Sequence, residues 1–259
     1  MSRQYQDDLA LALRAAKVAD EISTKRYQAI DLKVETKPDL TPVTDADKDI
    51  EKAFRDLIAS ERPNDLVAGE EFGVPKDFEG KHYWVIDPID GTVNYFYGLP
   101  GWNVSIAARD QRGSVVGVVT APTINSRWWA TRGGGAFYNG HPISCNEPIA
   151  LDRALIATGF QYDLAHRISQ LNDLTKLVPV ARDVRRNGAA AVDLCHVAMG
   201  ALDAYYEDGL KDWDWAAGGL VVTEAGATFA QFGTGPMQTT LAAGPTLHQE
   251  LASLLGLGR

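Results

Sequence analysis

Residues 82–98 read HYWVIDPIDGTVNYFYG, and the first half of this stretch decides how the rest is read. Tyr83, Trp84, Val85 and Ile86 follow one another without a polar residue between them, the pattern of a strand buried on both faces. The strand runs straight into Asp87 and Asp90, three apart, with Pro88 and Ile89 between them and Gly91 and Thr92 behind. Pro88 forces the chain out of regular strand geometry after Asp87 and holds the next residues in a tight turn. Such a turn aims both carboxylates into one space and exposes the carbonyl of Ile89. Gly91 permits an anion to approach the backbone, and the N–H groups of Gly91 and Thr92, opening a turn or short helix, can cradle phosphate. An isolated Asp-x-x-Asp-Gly-Thr also serves as a plain capped turn, with its aspartates bonded to nearby N–H groups. The hexapeptide alone does not separate the two readings.

Working outward, the N-terminal side is helical. Leu9, Leu11, Leu13, Ala16, Val18, Ala19 and Ile22 recur at helical spacing and predict an amphipathic helix over 4–30. The segment LTPVTDADKDIEKAFRDLIASERP carries a second helix, capped by Thr44 or Asp45, with Ile50, Phe54, Leu57 and Ile58 as its buried face and Pro63 beyond its end. LVAGEEFG reads as a short strand broken by Gly69, with two glutamates at its tip.

On the C-terminal side YWVID, NVSIAARD, SVVGVVTAP and SRWWATRGGGAF read as strands, and AFYNGHPIS as a hairpin turning at Asn139-Gly140. After about residue 150 strand and helix alternate. ALIATGF precedes a helix near 164–178, then come ARDVRR, a small-residue helix from Asn187 to Met199, the strand LDAYYED, the helix WDWAAGGLVVTEAG, and a final strand and helix. The pattern predicts an α/β chain of two joined halves, 1–150 and 151–259.

The 259 residues suffice for a large shared core, and 45% hydrophobic with 23% charged residues is ordinary for a soluble globular protein. A formal net charge of −9 argues against nucleic acid or an anionic membrane as the main partner. No apolar run approaches the roughly 20 residues of a membrane span, and acids inside the first apolar pattern argue against a signal peptide. Cys145 and Cys195 form no C-x-x-C arrangement, so neither a disulfide scaffold nor a zinc site is expected, and a reducing cytoplasm fits best.

The acids recur in pairs: Asp45 and Asp47, Glu70 and Glu71, Asp87 and Asp90, Asp212 and Asp214, each at a predicted strand end or helix start. Oxygen-only clusters of carboxylates and carbonyls suit hard divalent cations, Mg²⁺ above all. Two such ions about 3.5–4 Å apart can bracket a phosphoryl group.

Together, DPIDGTVNY, GEEFG before it and DWDWAA after it closely resemble the inositol monophosphatase family of Mg²⁺-dependent, lithium-sensitive phosphatases. TPVTDAD, GAFYNG, NGAAAVDLC, LDAYYEDG and VVTEAGA extend the resemblance over nearly the whole chain in the family's order. It implies a layered αβαβα sandwich, a homodimer, and two or three Mg²⁺ ions per site. Glu70, Asp87 and the Ile89 carbonyl would hold one ion, and Asp87 would bridge to a second completed by Asp90 and Asp214. Thr92, paired with Asp47, would orient and help deprotonate the attacking water. On the substrate side the resemblance implies Glu207 as acceptor for ring hydroxyls, with Asp90, Gly91, Thr92, the backbone at Ala190, and Asp214. Ala189 stands where many relatives carry threonine, which removes one polar ring contact.

These readings favour a Mg²⁺-dependent phosphomonoesterase acting on inositol monophosphate. TKPDLTPVTDAD and RWWATRGGGAF are similar to the histidinol-phosphate phosphatases of the same superfamily, the alternative substrate class. A haloacid-dehalogenase-type mechanism is disfavoured by the Asp-to-Asp spacing of three. A cation-dependent interaction module that lost catalysis should lack a ligand, and none is missing. Glu71 is expected to support the site, Asp45 and Asp212 to cap helices, Trp213 and Trp215 to pack a helix start, and His196 to pack in the core. Arg185 and Arg186 are open between a substrate phosphate, a subunit neighbour and solvent.

Overall fold

The computed structural model describes residues 3–29, 32–38, 40–76 and 81–258. Two helices open the chain, α1 (Arg3–Arg26) and α2 (Asp45–Glu61), separated by a hairpin of β1 (Val34–Thr36) and β2 (Pro42–Thr44) that the sequence pattern did not reveal. The predicted first helix was longer, and its last position, 30, lies outside the described residues, as does Asp39 of the TKPDLTPVTDAD motif. A seven-stranded sheet follows: β3 (Leu66–Gly69), β4 (Tyr83–Asp90), β5 (Asn103–Asp110), β6 (Gly113–Ala121), β7 (Ser126–Thr131), β8 (Gly135–Tyr138) and β9 (His141–Ile143), adjacent in that order. In this sheet β3 and β4 pair in parallel, and the neighbours from β4 to β9 pair antiparallel. The short helix α3 (Thr92–Phe96) leaves the end of β4.

SRWWATRGGGAF is two strands rather than one. Gly133 and Gly135 both have positive φ, and their N–H groups donate to Glu224 at 2.7 and 2.9 Å, which fixes a turn between β7 and β8. The second sheet, β11-β10-β12-β14-β13, contains β10 (Leu155–Thr158), β11 (Asp183–Arg185), β12 (Ala204–Asp208), β13 (Thr228–Phe232) and β14 (Thr239–Ala243). Its last two strands replace the single one expected. Helices α4 (Leu164–Leu177), α5 (Ala190–Ala198), α6 (Asp212–Glu224) and α7 (Pro245–Leu255) complete the fold.

The layers follow from the apolar faces. α1 and α2 cover one face of the seven-stranded sheet through Leu11, Ala15, Ile50, Phe54 and Ile58 against Trp84, Ile86 and Ile106. α5 and α6, rich in alanine and glycine, lie between the two sheets and contribute Ala191, Leu194, Ala217 and Val221 to a core shared with Val85, Val119, Tyr205 and Ala242. Small residues let the sheets approach: a Cβ on Gly117 would fall 2.7 Å from the carbonyl oxygen of Ala217. α4 and α7 pack beyond the second sheet, with Leu177, Leu247 and Leu251 against Ile156 and Leu241. The order is helix, sheet, helix, sheet, helix, the αβαβα sandwich expected.

Candidate active site

Pro88 does not end β4 in the tight turn expected: the strand runs on through Asp90 and carries an irregularity in its pairing instead. Asp87 pairs opposite Ser105 and Asp90 opposite Asn103, so three residues advance on one strand while two advance on the other. The extra residue is the bulge that Pro88 imposes. It leaves Asp87, Ile89 and Asp90 all buried, at 2%, 0% and 8% exposure. Asp87 Oδ1 accepts the N–H of Ile89 at 3.0 Å, and Thr92 Oγ1 donates to the Ile89 carbonyl at 3.0 Å. Gly91 has φ 86°, and a Cβ there would meet Ala189 Cβ and the Gly188 carbonyl, both at 3.1 Å. The close approach that requires glycine is thus to the chain entering α5.

Asp90 ties the halves of the protein together. Its Oδ1 accepts from Ala190 N at 3.2 Å, and its Oδ2 from Ala191 N at 2.8 Å and Asn103 Nδ2 at 2.7 Å. It therefore satisfies the free N–H groups that open α5. This explains why α5 begins at Ala190 and not at Asn187 as expected. Asp214, in the first turn of α6, accepts the Lys211 N–H at 2.6 Å. Asp212, expected to cap that helix, instead forms an ion pair with Arg109, whose guanidinium lies 4.9 Å from the Trp215 ring centroid.

The α2 side brings in Asp47. Thr44 is the cap: its backbone N–H donates to Asp47 Oδ2 at 2.8 Å and its hydroxyl at 2.5 Å, and the Asp47 N–H returns to Thr44 Oγ1 at 3.4 Å. Asp45, the other expected cap, pairs with Arg26. The expected hydrogen bond between Thr92 and Asp47 is not made here. Thr92 donates to Ile89, and Asp47 Oδ1 is buried without a hydrogen-bond partner.

Glu70 and Glu71 reach the site from the end of β3, where Lys37 Nζ donates to Glu70 Oε1 at 2.7 Å and Glu71 Oε1 at 2.6 Å. Burial lowers the proton affinity of Lys37, but the two glutamates outweigh it and the net shift is upward. Sequence reasoning missed Lys37. Its only signal was its place in the TKPDLTPVTDAD motif, because the contact depends on where the β1–β2 hairpin carries Lys37 in the fold. Glu207 receives the Tyr205 hydroxyl, and a Cβ on Gly159 would fall 1.9 Å from Glu207 Oε2, so a side chain there would displace the Glu207 carboxyl.

The acids act on one another. Burial pushes the Asp87 carboxyl well above its ordinary range, and the charges of Glu70, Asp90, Asp214 and Asp47 push it further. Asp214 is raised by removal from water and then by Asp90 and Glu70. Burial raises Asp90 to about 6, against its hydrogen bonds from Asn103 and the α5 amides. Burial likewise carries Asp47 to about 8 and Glu207 to about 7. Among the described residues no group of three or more His, Cys, Asp or Glu side chains stands arranged to hold a metal ion; Glu70 Oε1 is engaged by Lys37 and the Asp90 oxygens by N–H groups. The donors nevertheless fit a hard divalent cation: they are oxygens only, they are withdrawn from water, and their mutual repulsion is relieved by added positive charge.

Outside this cluster His196 packs edge-on to Trp128 at 5.6 Å, the core role expected of it, and Trp213 and Trp215 pack beside the first turn of α6.

The Inositol monophosphatase family model matches residues 4–256. The inositol-1-monophosphatase of Mycobacterium leprae is 44% identical over 194 residues, covering 72% of this chain and 67% of its own. The histidinol-phosphatase of Mycobacterium tuberculosis is 38% identical over 265 residues, covering 97% and 99%. Among solved structures, the extragenic suppressor protein suhB of Bartonella henselae superposes with a TM-score of 0.89 at 30% identity, over 98% of this chain and all of its own. The Mycobacterium leprae and Mycobacterium tuberculosis relatives are named as phosphatases, the family uses divalent metal ions, and this chain has the family's layered fold with its acids gathered at one place. The chain is a phosphatase and belongs to the inositol monophosphatase family.

Proposed function

We propose that this protein hydrolyses inositol monophosphates with Mg²⁺, two or three ions per site, held by Glu70, Asp87, the Ile89 carbonyl, Asp90 and Asp214. The observation that carries the reading is the convergence of buried carboxylates that raise one another's proton affinity, an arrangement stable as anions only beside a cation. Bound Mg²⁺ supplies Lewis-acid charge to the phosphoryl oxygens and acidifies water.

This chain's residues supply the rest. The N–H groups of Gly91 and Thr92 face the phosphate. Thr92 orients the attacking water and passes a proton toward Asp47, whose Oδ1 is free to accept. For that, the Thr92 hydroxyl exchanges the Ile89 carbonyl for Asp47. Glu207, held by Tyr205 under Gly159, accepts hydrogen bonds from the ring hydroxyls, and Asp90, Asp214 and the backbone at Ala190 complete that side.

Histidinol phosphate is the second reading, favoured by the alanine at 189 and by the relative that aligns over nearly all of both chains. The test is phosphate release from myo-inositol 1-phosphate and L-histidinol phosphate side by side, with Mg²⁺ and with EDTA. We expect the inositol ester to be preferred and release to vanish with EDTA. Preference for histidinol phosphate would keep the ion site and overturn the role of Glu207.

We further propose a lithium-sensitive cytoplasmic homodimer. No helix among the described residues is long and apolar enough to cross a membrane. The exposed Leu164, Ile168 and Leu171 on α4, with Val178 and Val180 beyond it, form an apolar ridge for a second copy beside the edge strand β11.

A further inference from the structure

Glu51 is a fully buried carboxylate to which the proposed chemistry gives no task. It lies one helical turn beyond Asp47 on α2, among Ile50 and Phe54. Oε2 accepts the N–H of Glu71 at 2.7 Å and Oε1 that of Phe72 at 3.2 Å. Arg55, one turn further, binds the same carboxylate at 2.7 and 2.9 Å. The guanidinium also donates to the carbonyls of Val67 at 3.0 Å and Gly73 at 3.1 Å, one on each side of Glu70. Against this clasp Gly69 has no room for a side chain, since a Cβ would fall 2.2 Å from Glu51 Oε1.

The pair thus grips the 67–73 segment at four points, every one a main-chain group. An ion pair is an expensive way to fill a core, because both charges leave water, and apolar residues of similar size fill such a space at least as well. What the apolar alternative lacks is direction. Two amides bound to one carboxylate and two carbonyls bound to one guanidinium fix where the backbone of residues 69–73 points, and the Glu70 side chain starts from that backbone.

We propose that Glu51 and Arg55 are positioning residues that aim Glu70 into the site and so set its affinity for divalent cations. The inference rests on the reading of Glu70 as a cation ligand. Partners standing behind metal ligands commonly change affinity by about 10- to 100-fold when removed.

The experiment is calorimetric titration of the whole chain with Mg²⁺, alongside thermal melts and the Mg²⁺ dependence of phosphate release. Glu51→Ala should weaken Mg²⁺ binding by roughly 10- to 100-fold, with kcat at saturating Mg²⁺ within a few-fold of the parent. Glu51→Gln, which keeps an oxygen for one amide, should fall between them. Gly69→Ala, whose methyl drives into the Glu51 carboxylate, should resemble Glu51→Ala, and it keeps the test alive if that variant does not fold. Mg²⁺ affinities within twofold of the parent across all three, with only the melting temperature lowered, would show a clasp that holds the fold alone and would overturn the inference. A parent that binds no Mg²⁺ would end the cation-site reading and this inference together. Normal binding left unchanged by Glu70→Gln would end the inference through its premise while leaving the site's other ligands standing.

Discussion

The two ends of β4 carry the same kind of residue in opposite circumstances. Where the strand begins, Asp8 of α1 is fully buried, yet Arg62 and His82 each stand 3.1 Å from one of its oxygens. Asp65 beside them accepts the Trp84 indole N–H at 2.9 Å. Where the strand ends, Asp87 and Asp90 meet Glu70, Asp47 and Asp214, and among the described residues the ammonium hydrogen-bonded there belongs to Lys37. At the first end positive and negative charge are matched, so the acids hold α1, α2 and β4 together. At the second end negative charge exceeds the positive charge that the described residues bring to it through Lys37. Burying acids is not what distinguishes a site; burying them without counter-charge is.

The contrast is broken most directly by matched substitutions. Asp90→Asn keeps the shape and one oxygen acceptor but removes a charge, and we expect phosphate release to fall by at least about 100-fold, beyond the effect of an outer-shell loss. Asp8→Asn at the other end should leave kcat within a few-fold and lower stability by roughly 1–3 kcal/mol, since it leaves Arg62 and His82 with a weaker partner. Steady-state kinetics and denaturant melts on both variants check the division. Equal losses of activity from both, or none from Asp90→Asn, would erase the distinction between the ends.

A second difference concerns pH. Asp90 at about 6, Glu207 at about 7 and Asp47 at about 8 hold protons more tightly in the folded chain than in the unfolded one. Groups raised on folding contribute stability at low pH and lose it as pH rises through the folded value. The cation-free protein should therefore lose stability between about pH 4 and 8, at up to about 1.4 kcal/mol per pH unit for each titrating group. On the proposed reading Mg²⁺ would take the place of the Asp90 proton and lower the proton affinity of Glu207 and Asp47 by its charge. At 100 times its Kd it adds about 2.7 kcal/mol, so melts at pH 8 should rise by several degrees on adding Mg²⁺ and melts at pH 5 by much less. A flat pH profile in EDTA, or an equal Mg²⁺ effect at both pH values, would contradict the account.

The two ends also differed in how legible they were. Asp87, Ile89, Asp90 and Thr92 can be read from the sequence because they lie in one short stretch, where the bulge at Pro88 and the helix start at Thr92 place all four locally. Glu70 and Asp214 can be read because they close a strand and open a helix. The layered fold is legible because buried strands and small-residue helices leave few ways to pack. Lys37 and Glu51 are not, because their roles exist only once the fold brings the hairpin's Lys37 to Glu70 and Glu71 and α2's Glu51 to the amides of Glu71 and Phe72. Glu51 left one faint signal, an acid four residues after Asp47 on a helix face otherwise set by Ile50, Phe54 and Ile58. The β1–β2 hairpin has three residues per strand, too few to show a period. The start of α5 was misplaced because the group that satisfies its first amides, Asp90, lies a hundred residues away. The Thr92–Asp47 bond is not made in this structure, where the Thr92 hydroxyl donates to the Ile89 carbonyl three residues back.

The smallest expected effect isolates the balanced end. The hydrogen bond to Asp8 raises His82 above its ordinary value, against burial, with Asp65 adding to the rise. Its contribution is therefore complete below pH 6.5 and disappears as pH climbs through the folded value. The sign matches that of the carboxylates at the other end, so a melt in EDTA alone cannot tell them apart. Mg²⁺ can: it cancels the slope that arises where β4 ends and leaves the slope that arises where it begins. With saturating Mg²⁺, a residual loss of about 1 kcal/mol or less should remain between pH 6 and 8, and His82→Gln should remove it without changing phosphate release. If the residual slope survives His82→Gln, the charge at the start of β4 is not held by this histidine, and the balance assigned to that end must come from Arg62 alone.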